Sequence, residues 1–309
     1  MANKDPLDPQ PAAPFHLRLR PATQQTVGDV LLKRCPLSMK KIKEALTKGA
    51  VWLTRPGWNE KRIRKANFPV GPKDRIDIYY DEQILSRTAP SPLLISDQGA
   101  YSVWYKPAGL LSQGSPYGDH CSLTRHIEQQ SLKQSDARLI HRLDREAFGL
   151  ILIGHNRKGA AALTRLLQAG EIAKYYRAEV SGQLGQTGET LEFDQPLDEK
   201  PSRTTAEILR YLPEHDTTLL DIRLHTGRTH QIRRHLAGAG HPLIGDPRYG
   251  KPTPLLPELP LQLCAYRLAF HCPIHDRDLE FSLDRGFFTA NTPDNSGGRL
   301  FLSVRKIIR

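Results

Sequence analysis

The sequence predicts an α+β protein: a mixed, largely antiparallel central sheet with flanking helices, preceded by a small α/β domain. Three observations carry this prediction. Segments 174–181, 203–211 and 217–224 read as strands at hairpin-like spacing, not as a strict strand–helix–strand repeat. Before residue 82 two short capped helices are followed by two alternating strands, and Pro90 and Pro92 mark a break after them. With 309 residues, 39% of them hydrophobic, the chain can bury one large core and one small one.

Residues 1–15 carry four prolines and no apolar period, so they are expected to form a disordered tail. Thr26 is placed to cap a helix, with Asp29 three residues on to return the bond and Val27, Val30 and Leu31 on one face. Ser38 is placed to cap a second helix with Met39, Ile42, Ala45 and Leu46 inward, and Gly49 stands where a left-handed residue ends it. Ala50 to Thr54 and Arg75 to Tyr80 alternate as strands. This gives a small domain at 16–85, a linker at 86–95 and a larger domain at 96–309.

In the larger domain Tyr101–Tyr105 alternates as a strand and ends at Lys106-Pro107. Gly114 to His120 is a polar loop, followed by a helix near 122–130. Asn156 is placed to cap a helix reaching Ala169, with Ala160, Leu163, Leu166 and Leu167 inward and Gly170 closing it. After Gly227 a helix is expected to begin near Thr229 and to end in Gly238 to Gly240. Strands near 262–271 and 278–283 complete the sheet, and the tail at 286–309 is strand-like and basic at its end.

The formal net charge is +11, and it is unevenly placed. Residues 16–90 hold 16 Lys and Arg against 7 Asp and Glu, which accounts for +9 of it. Such concentration points to a polyanionic partner, most often nucleic acid. No apolar run approaches the roughly 20 residues of a membrane helix, and the polar N-terminus has no secretion-like segment, so a cytoplasmic protein is expected. The four cysteines are too few and scattered for a disulfide framework. Cys264, Cys272 and His275 match no zinc spacing, and His225, His230 and His235 recur at five residues, off the period that puts two ligands on one helical face. Ser112 and Ser115 lack the setting of a hydrolase nucleophile.

One acidic side chain stands out. In His141-Arg142-Leu143-Asp144-Arg145 a carboxylate lies between two arginines, just before Gly149 and the apolar run Leu150–Ile153. Nearby guanidinium groups favour the ionised carboxylate. The residues alone allow a structural ion pair at a strand entry or a reactive carboxylate. A glycosidase-type use lacks an evident acid partner.

The stretch from His141 to Leu152, together with Tyr105-Lys106-Pro107-Ala108-Gly109, Lys174-Tyr175-Tyr176-Arg177-Ala178 and the run from Leu224 to Leu236, resembles the motifs of the RNA pseudouridine synthases of the RluA class, over roughly residues 90–285. The resemblance implies a sheet with a central active-site cleft. It also implies an isomerase turning uridines of ribosomal or transfer RNA into pseudouridine, with no metal and no small-molecule cofactor. Asp144 would be the nucleophile or base, Arg228 its ion-pair partner, Tyr176 the ring that stacks on uracil, and Arg142 the residue that fills the gap left by the everted nucleotide. By strand alternation Tyr175 faces away from Tyr176, and Leu224 and Ile151 are expected as apolar walls. The family usually carries a small hydroxylated pair where this chain has Ala147 and Phe148, the one feature favouring a non-catalytic RNA-binding or assembly factor on the same scaffold. The small basic domain resembles the RNA-binding module first seen in ribosomal protein S-four. Lys40, Lys41, Lys43, Lys61, Arg62, Arg64 and Lys65 would grip phosphates, and Trp52 and Trp58 are candidates to stack on bases or pack inward. RNA is the partner implied, the membrane is not, and the chain is expected to act as a monomer.

Overall fold

A computed structural model describes residues 13–130, 137–250 and 259–283. The expected tail at 286–309, and the first 12 residues, lie outside that range. Two compact units emerge: residues 1–89 with 113–126, and residues 90–112 with 127–309. The loop 113–126, assigned from sequence to the larger domain, therefore belongs with the smaller unit.

The first unit runs β1 (Phe15–Leu19), β2 (Gln25–Thr26), α1 (Val27–Arg34), α2 (Met39–Thr47), β3 (Val51–Thr54), β4 (Lys61–Arg62), β5 (Pro69–Val70), β6 (Arg75–Tyr80) and α3 (Glu82–Leu85). Phe15 thus opens a strand instead of ending a tail, because Phe15, Leu17 and Leu19 pack against the core of this unit. The sheet order is β1-β6-β3-β4, with β2 and β5 paired apart. Thr26 and Asp29 form the expected reciprocal cap, Ser38 caps α2, and Gly49 takes φ +81° after it. Val27, Leu31, Ile42, Ala45 and Leu46 are completely buried against Leu53, Ile76 and Ile78.

Asp119 explains why loop 113–126 joins this unit. It receives Arg64 at 2.6 Å and Arg62 at 3.1 Å. Arg62 also donates to the carbonyls of Ser115, at 2.8 Å, and Gly49, and Trp52 Nε1 donates to the Pro116 carbonyl at 3.0 Å. Local periodicity gives no sign of an acid 55 residues from its arginine.

The helix α4 (Leu123–Gln130) starts in the first unit and ends in the second, which otherwise runs β7 (Leu93–Asp97), β8 (Tyr101–Lys106), β9 (Arg138–Leu139), β10 (Phe148–Gly154), α5 (Arg157–Ala169), β11 (Ala173–Ser181), β12 (Thr190–Phe193), β13 (Thr204–Leu212), β14 (Thr217–Leu224), α6 (Gln231–Gly238), β15 (Leu263–Cys272) and β16 (Arg277–Ser282). The predicted linker ends early, since β7 starts at Leu93 and pairs with β8. The large sheet has the order β12-β13-β14-β11-β15-β10-β8-β7, with β16 on β15 and β9 on β10. Every recorded pairing is antiparallel except β10 with β15, so the expected mixed, largely antiparallel α+β fold is what forms. At that parallel contact Gly149 has φ +121°, and a Cβ there would run into the Ala265 backbone. Only glycine allows the approach. All seven residues of β10 are buried, consistent with a strand covered on both faces. On α5, Asn156 accepts from Gly159 N at 2.7 Å and Gly170 closes the helix at φ +74°. No helix among the described residues is long and apolar enough to cross a membrane.

Candidate active site

The cleft lies in the second unit where three elements meet: the turn before β10, the face of β11 with the ends of β14 and β15, and the start of α6. It is an open cleft that communicates with solvent. Arg142, Asp144, Tyr176, Leu224, Arg228, His230 and Arg233 all line it.

The 106–112 loop holds the Asp144 turn by its backbone. Lys106 is completely buried, and its ammonium donates to the carbonyls of Pro107 at 3.0 Å, Leu110 at 2.7 Å and Arg145 at 3.3 Å. Burial pulls its pKa down to about 7, against the opposing charges of Asp144 and Glu146. Gly109 N donates to the Arg145 carbonyl at 2.8 Å. Ser112 Oγ donates to the Leu143 carbonyl at 2.7 Å and accepts from Leu143 N at 3.0 Å. Asp144 is thus fixed from both sides along the chain. His141 Nε2 accepts the Leu152 N–H at 3.2 Å, and burial pushes this ring's pKa down to about 3, so it stays neutral.

The guanidinium that meets Asp144 is Arg233, not Arg228. Arg233 Nη1 lies 3.2 Å from Asp144 Oδ2. Arg228 lines the same cleft, but its Nε donates to the Pro201 carbonyl at 3.0 Å, and its own N–H is held by Gln231 Oε1 at 3.0 Å. The cause is where the helix begins. His230 takes the left-handed conformation (φ +53°), so α6 starts at Gln231, two residues later than expected. Arg233 then falls on its buried face beside Ile232 and Leu236. The arginines flanking Asp144 do not pair with it either: Arg145 turns to Glu146 at 3.0 Å, and Arg142 is exposed at the rim.

Asp246 fixes Arg233. Its two oxygens accept Arg233 Nε and Nη2 at 2.8 and 2.7 Å, and it also accepts the backbone N–H groups of Arg248 and Tyr249. Both side chains of the pair are at most 2% exposed. Burial opposes the charge on each. For Asp246 the arginine and two backbone donors outweigh it and lower the pKa; for Arg233 the two carboxylates outweigh it and raise the pKa. Sequence reading missed both residues, although an arginine on the apolar face of a helix has to find a buried acid.

Tyr176 sits in the cleft and Tyr175 on the opposite face of β11 under the Arg267 guanidinium, as alternation requires. Burial first, then the charge of Asp144, raises the Tyr176 pKa, so the ring keeps its proton. Leu143, Ala147, Leu224, Ile232 and Leu263 form the apolar wall. Ile151 is buried in β10 but is not part of it. Phe148 belongs to the hydrophobic core, so the Ala147–Phe148 departure leaves the cleft open.

His230 Nδ1 contacts Tyr249 Oη at 3.0 Å, and its Nε2 lies 3.8 Å from Asp144. Burial lowers its pKa, and the positive charges of Arg233 and Arg248 add to that against the opposing pull of Asp144. His225 and His235 turn to other partners, Thr205 for the first and Thr204, Ser202 and Gln195 for the second. No three potential metal ligands gather among the described residues.

Of the basic residues expected to hold RNA in the first unit, Lys40, Lys43, Lys61 and Lys65 are exposed and carry no ion pair among the described residues. Lys41 is paired with Glu82 at 2.8 Å, and Arg62 and Arg64 with Asp119.

Residues 100–238 match the RNA pseudouridylate synthase family. The chain is 31% identical over 187 residues to a dual-specificity RNA pseudouridine synthase RluA of Vibrio parahaemolyticus, covering 54% of this chain and 73% of that one. Its identity to the ribosomal large subunit pseudouridine synthase D of Yersinia pestis is 31% over 219 residues, covering 63% and 65%. An uncharacterized RNA pseudouridine synthase of Aquifex aeolicus is 27% identical over 276 residues, covering 80% and 85%. Among solved structures, human RNA pseudouridylate synthase domain containing 1 shares the fold at TM-score 0.55 and 18% identity, covering 72% and 93%.

Proposed function

The chain belongs to the RNA pseudouridine synthases of the RluA class, isomerases that convert uridine to pseudouridine in RNA, and from that premise we propose that it isomerises specific uridines of ribosomal or transfer RNA at Asp144. The reaction breaks the bond from C1′ to N1, forms one from C1′ to C5, and moves one hydrogen from C5 to N1 as a proton. Atoms are neither gained nor lost, so the protein's task is to reach C1′ and hold the freed uracil while it turns. A target inside folded RNA must first be everted, at a cost of a few kcal/mol.

The observation that carries the reading is the carboxylate of Asp144 in an open cleft, 3.2 Å from an arginine that a buried aspartate immobilises. Asp144 acts at the ribose as nucleophile or base. Arg233, in place of Arg228, keeps it aimed. Tyr176 stacks on uracil against the wall of Leu143, Leu224 and Leu263. Arg142, exposed at the rim, enters the space the nucleotide leaves, and Arg228 offers a second contact to the backbone. The first unit, with Lys40, Lys43, Lys61 and Lys65 outward, grips phosphates as a small RNA-binding domain of the ribosomal-protein-S-four kind. On this reading the protein works in the cytoplasm as a monomer, without metal or small-molecule cofactor.

The test uses cellular ribosomal and transfer RNA carrying tritium at uracil C5. Wild type should release the label, and Asp144→Asn should release none while still binding RNA. Release from the Asp144→Asn protein at the wild-type rate, or binding with no release by wild type from any cellular RNA, would leave the reading without support.

A further inference from the structure

Trp58 stands in the turn between β3 and β4, 44% exposed. The other two tryptophans are engaged internally. Trp104 is 5% exposed and donates to Ser102 Oγ at 2.6 Å; Trp52 donates to the Pro116 carbonyl beneath the Arg62 guanidinium. Two cations lie over the Trp58 ring, Arg55 at 4.6 Å and Lys61 Nζ at 3.8 Å, and both also lie near Phe68, at 5.7 and 5.8 Å. They are held very differently. Arg55 is locked to Asp74 by bonds of 2.7 and 2.8 Å and to the Pro69 carbonyl at 2.9 Å. Lys61 is exposed, and the ring faces are its contacts among the described residues.

We propose that Trp58 is a stacking platform for an unpaired RNA base, with Lys61 as the displaceable cover. An exposed cation–π contact is worth only about 0.5–1 kcal/mol, whereas a base stacked on an aromatic ring contributes about 1–3 kcal/mol. When a base takes the ring face, the Lys61 ammonium moves to the adjoining phosphate, so the exchange costs one weak contact and forms two stronger ones. Arg55 stays in place and keeps the turn rigid. Bases already stacked inside a duplex cannot reach the ring, so the platform selects unpaired RNA. The surrounding charge fits that partner, since Lys65 is also exposed without an acid. This inference rests on the RNA reading above but not on the chemistry at Asp144.

Trp58 is the exposed indole, so its fluorescence reports on the site. Titrating the full chain with a short unpaired oligouridylate should quench it, and the same sequence in a duplex should not. Trp58→Leu should bind the single strand about tenfold more weakly with an unchanged salt slope. Lys61→Ala should lower that slope by about one. Thermal unfolding of each variant establishes that it folds, and Trp58→Phe, which keeps a ring, should recover part of the affinity. Wild-type affinity in a folded Trp58→Leu protein, or equal quenching by the duplex, overturns the platform. Tritium release at saturating cellular RNA, read on the same proteins, separates the two proposals: normal release with unaltered oligonucleotide affinity removes the platform alone, and quenching without any release removes the enzyme reading alone.

Discussion

Replacing Asp246 by asparagine tests whether a buried acid, invisible to RNA, sets the geometry of the cleft. The wild-type carboxylate accepts two Arg233 nitrogens at 2.8 and 2.7 Å and two backbone N–H groups at 2.9 and 3.1 Å. Asparagine keeps one oxygen, which the backbone donors occupy. Its amide then faces Arg233 Nε donor to donor. A hydrogen bond to a charged group contributes about 1.5–3 kcal/mol, and removing one partner of a buried pair costs about 3–5 kcal/mol in full. Because asparagine preserves the backbone half, the expected loss is about 2–3 kcal/mol. Against a total of about 5–15 kcal/mol the variant still folds, and with a urea slope of about 1–3 kcal/mol/M its midpoint falls by roughly 1 M. Catalysis should suffer as well. Arg233, left with one bond to residue 246 instead of two, no longer holds Nη1 firmly 3.2 Å from Asp144, so the single-turnover rate of tritium release should drop at least about tenfold while KM changes little. Arg233→Lys should share the kinetic defect, since a point charge cannot bridge both acids in the same geometry. An Asp246→Asn protein with the wild-type midpoint and rate would show that the pair neither braces the fold nor aims the arginine.

Two further outcomes follow from the same structure. Tyr176 has no hydrogen-bond partner for its hydroxyl among the described residues, so Tyr176→Phe should stay within about threefold of wild type, whereas Tyr176→Leu should lose roughly 5- to 100-fold in tritium release because it removes the stacking face; equal rates for the two variants would argue against stacking. His141 is neutral when folded, with a pKa pushed down by burial from 6.5 to about 3. Above pH 6.5 neither state carries its proton and stability is full. As pH falls from 6.5 toward 3 only the unfolded chain takes the proton up, so this group removes at most about 1.4 kcal/mol of stability per pH unit. In urea titrations at several pH values, His141→Gln, which can still accept the Leu152 N–H, should flatten that acid limb; an unchanged limb would place the loss elsewhere.

Local chemistry was the legible part of the sequence. The caps at Thr26, Ser38 and Asn156 and the closing glycines Gly49 and Gly170 act within four residues of themselves, and all of them appear. Strand alternation allowed only one of Tyr175 and Tyr176 to turn inward, and the family resemblance pointed to Tyr176. Pairings across long separations were not legible. Arg62 and Arg64 look like free cations until Asp119 arrives from a distant loop. Arg228 and Arg233 are five residues apart in one motif, and choosing between them required the helix phase. That phase was hidden, because His230 adopts a backbone conformation that a non-glycine residue rarely takes. The resemblance pointed to Arg228, and only the backbone at His230 shows that Arg233 is the one that reaches Asp144.

The strain at His230 makes sense once the arrangement of the cleft is considered as a whole. An isomerisation that exchanges nothing with solvent except a proton gains its rate from where charged groups stand before the substrate arrives. Asp144 is placed by the backbone, through Lys106, Gly109 and Ser112. Its counter-charge has to come from another element and be equally rigid, or the two would simply collapse on each other. Starting α6 at Gln231 puts Arg233 on the buried face, where Asp246 holds it 3.2 Å from Asp144 and leaves Arg142 and Arg228 toward the opening. One residue in the left-handed region costs about 1–2 kcal/mol, less than the roughly 3–5 kcal/mol at stake in a buried pair. The local strain is therefore offset by the buried pair that this helix start places beside Asp144.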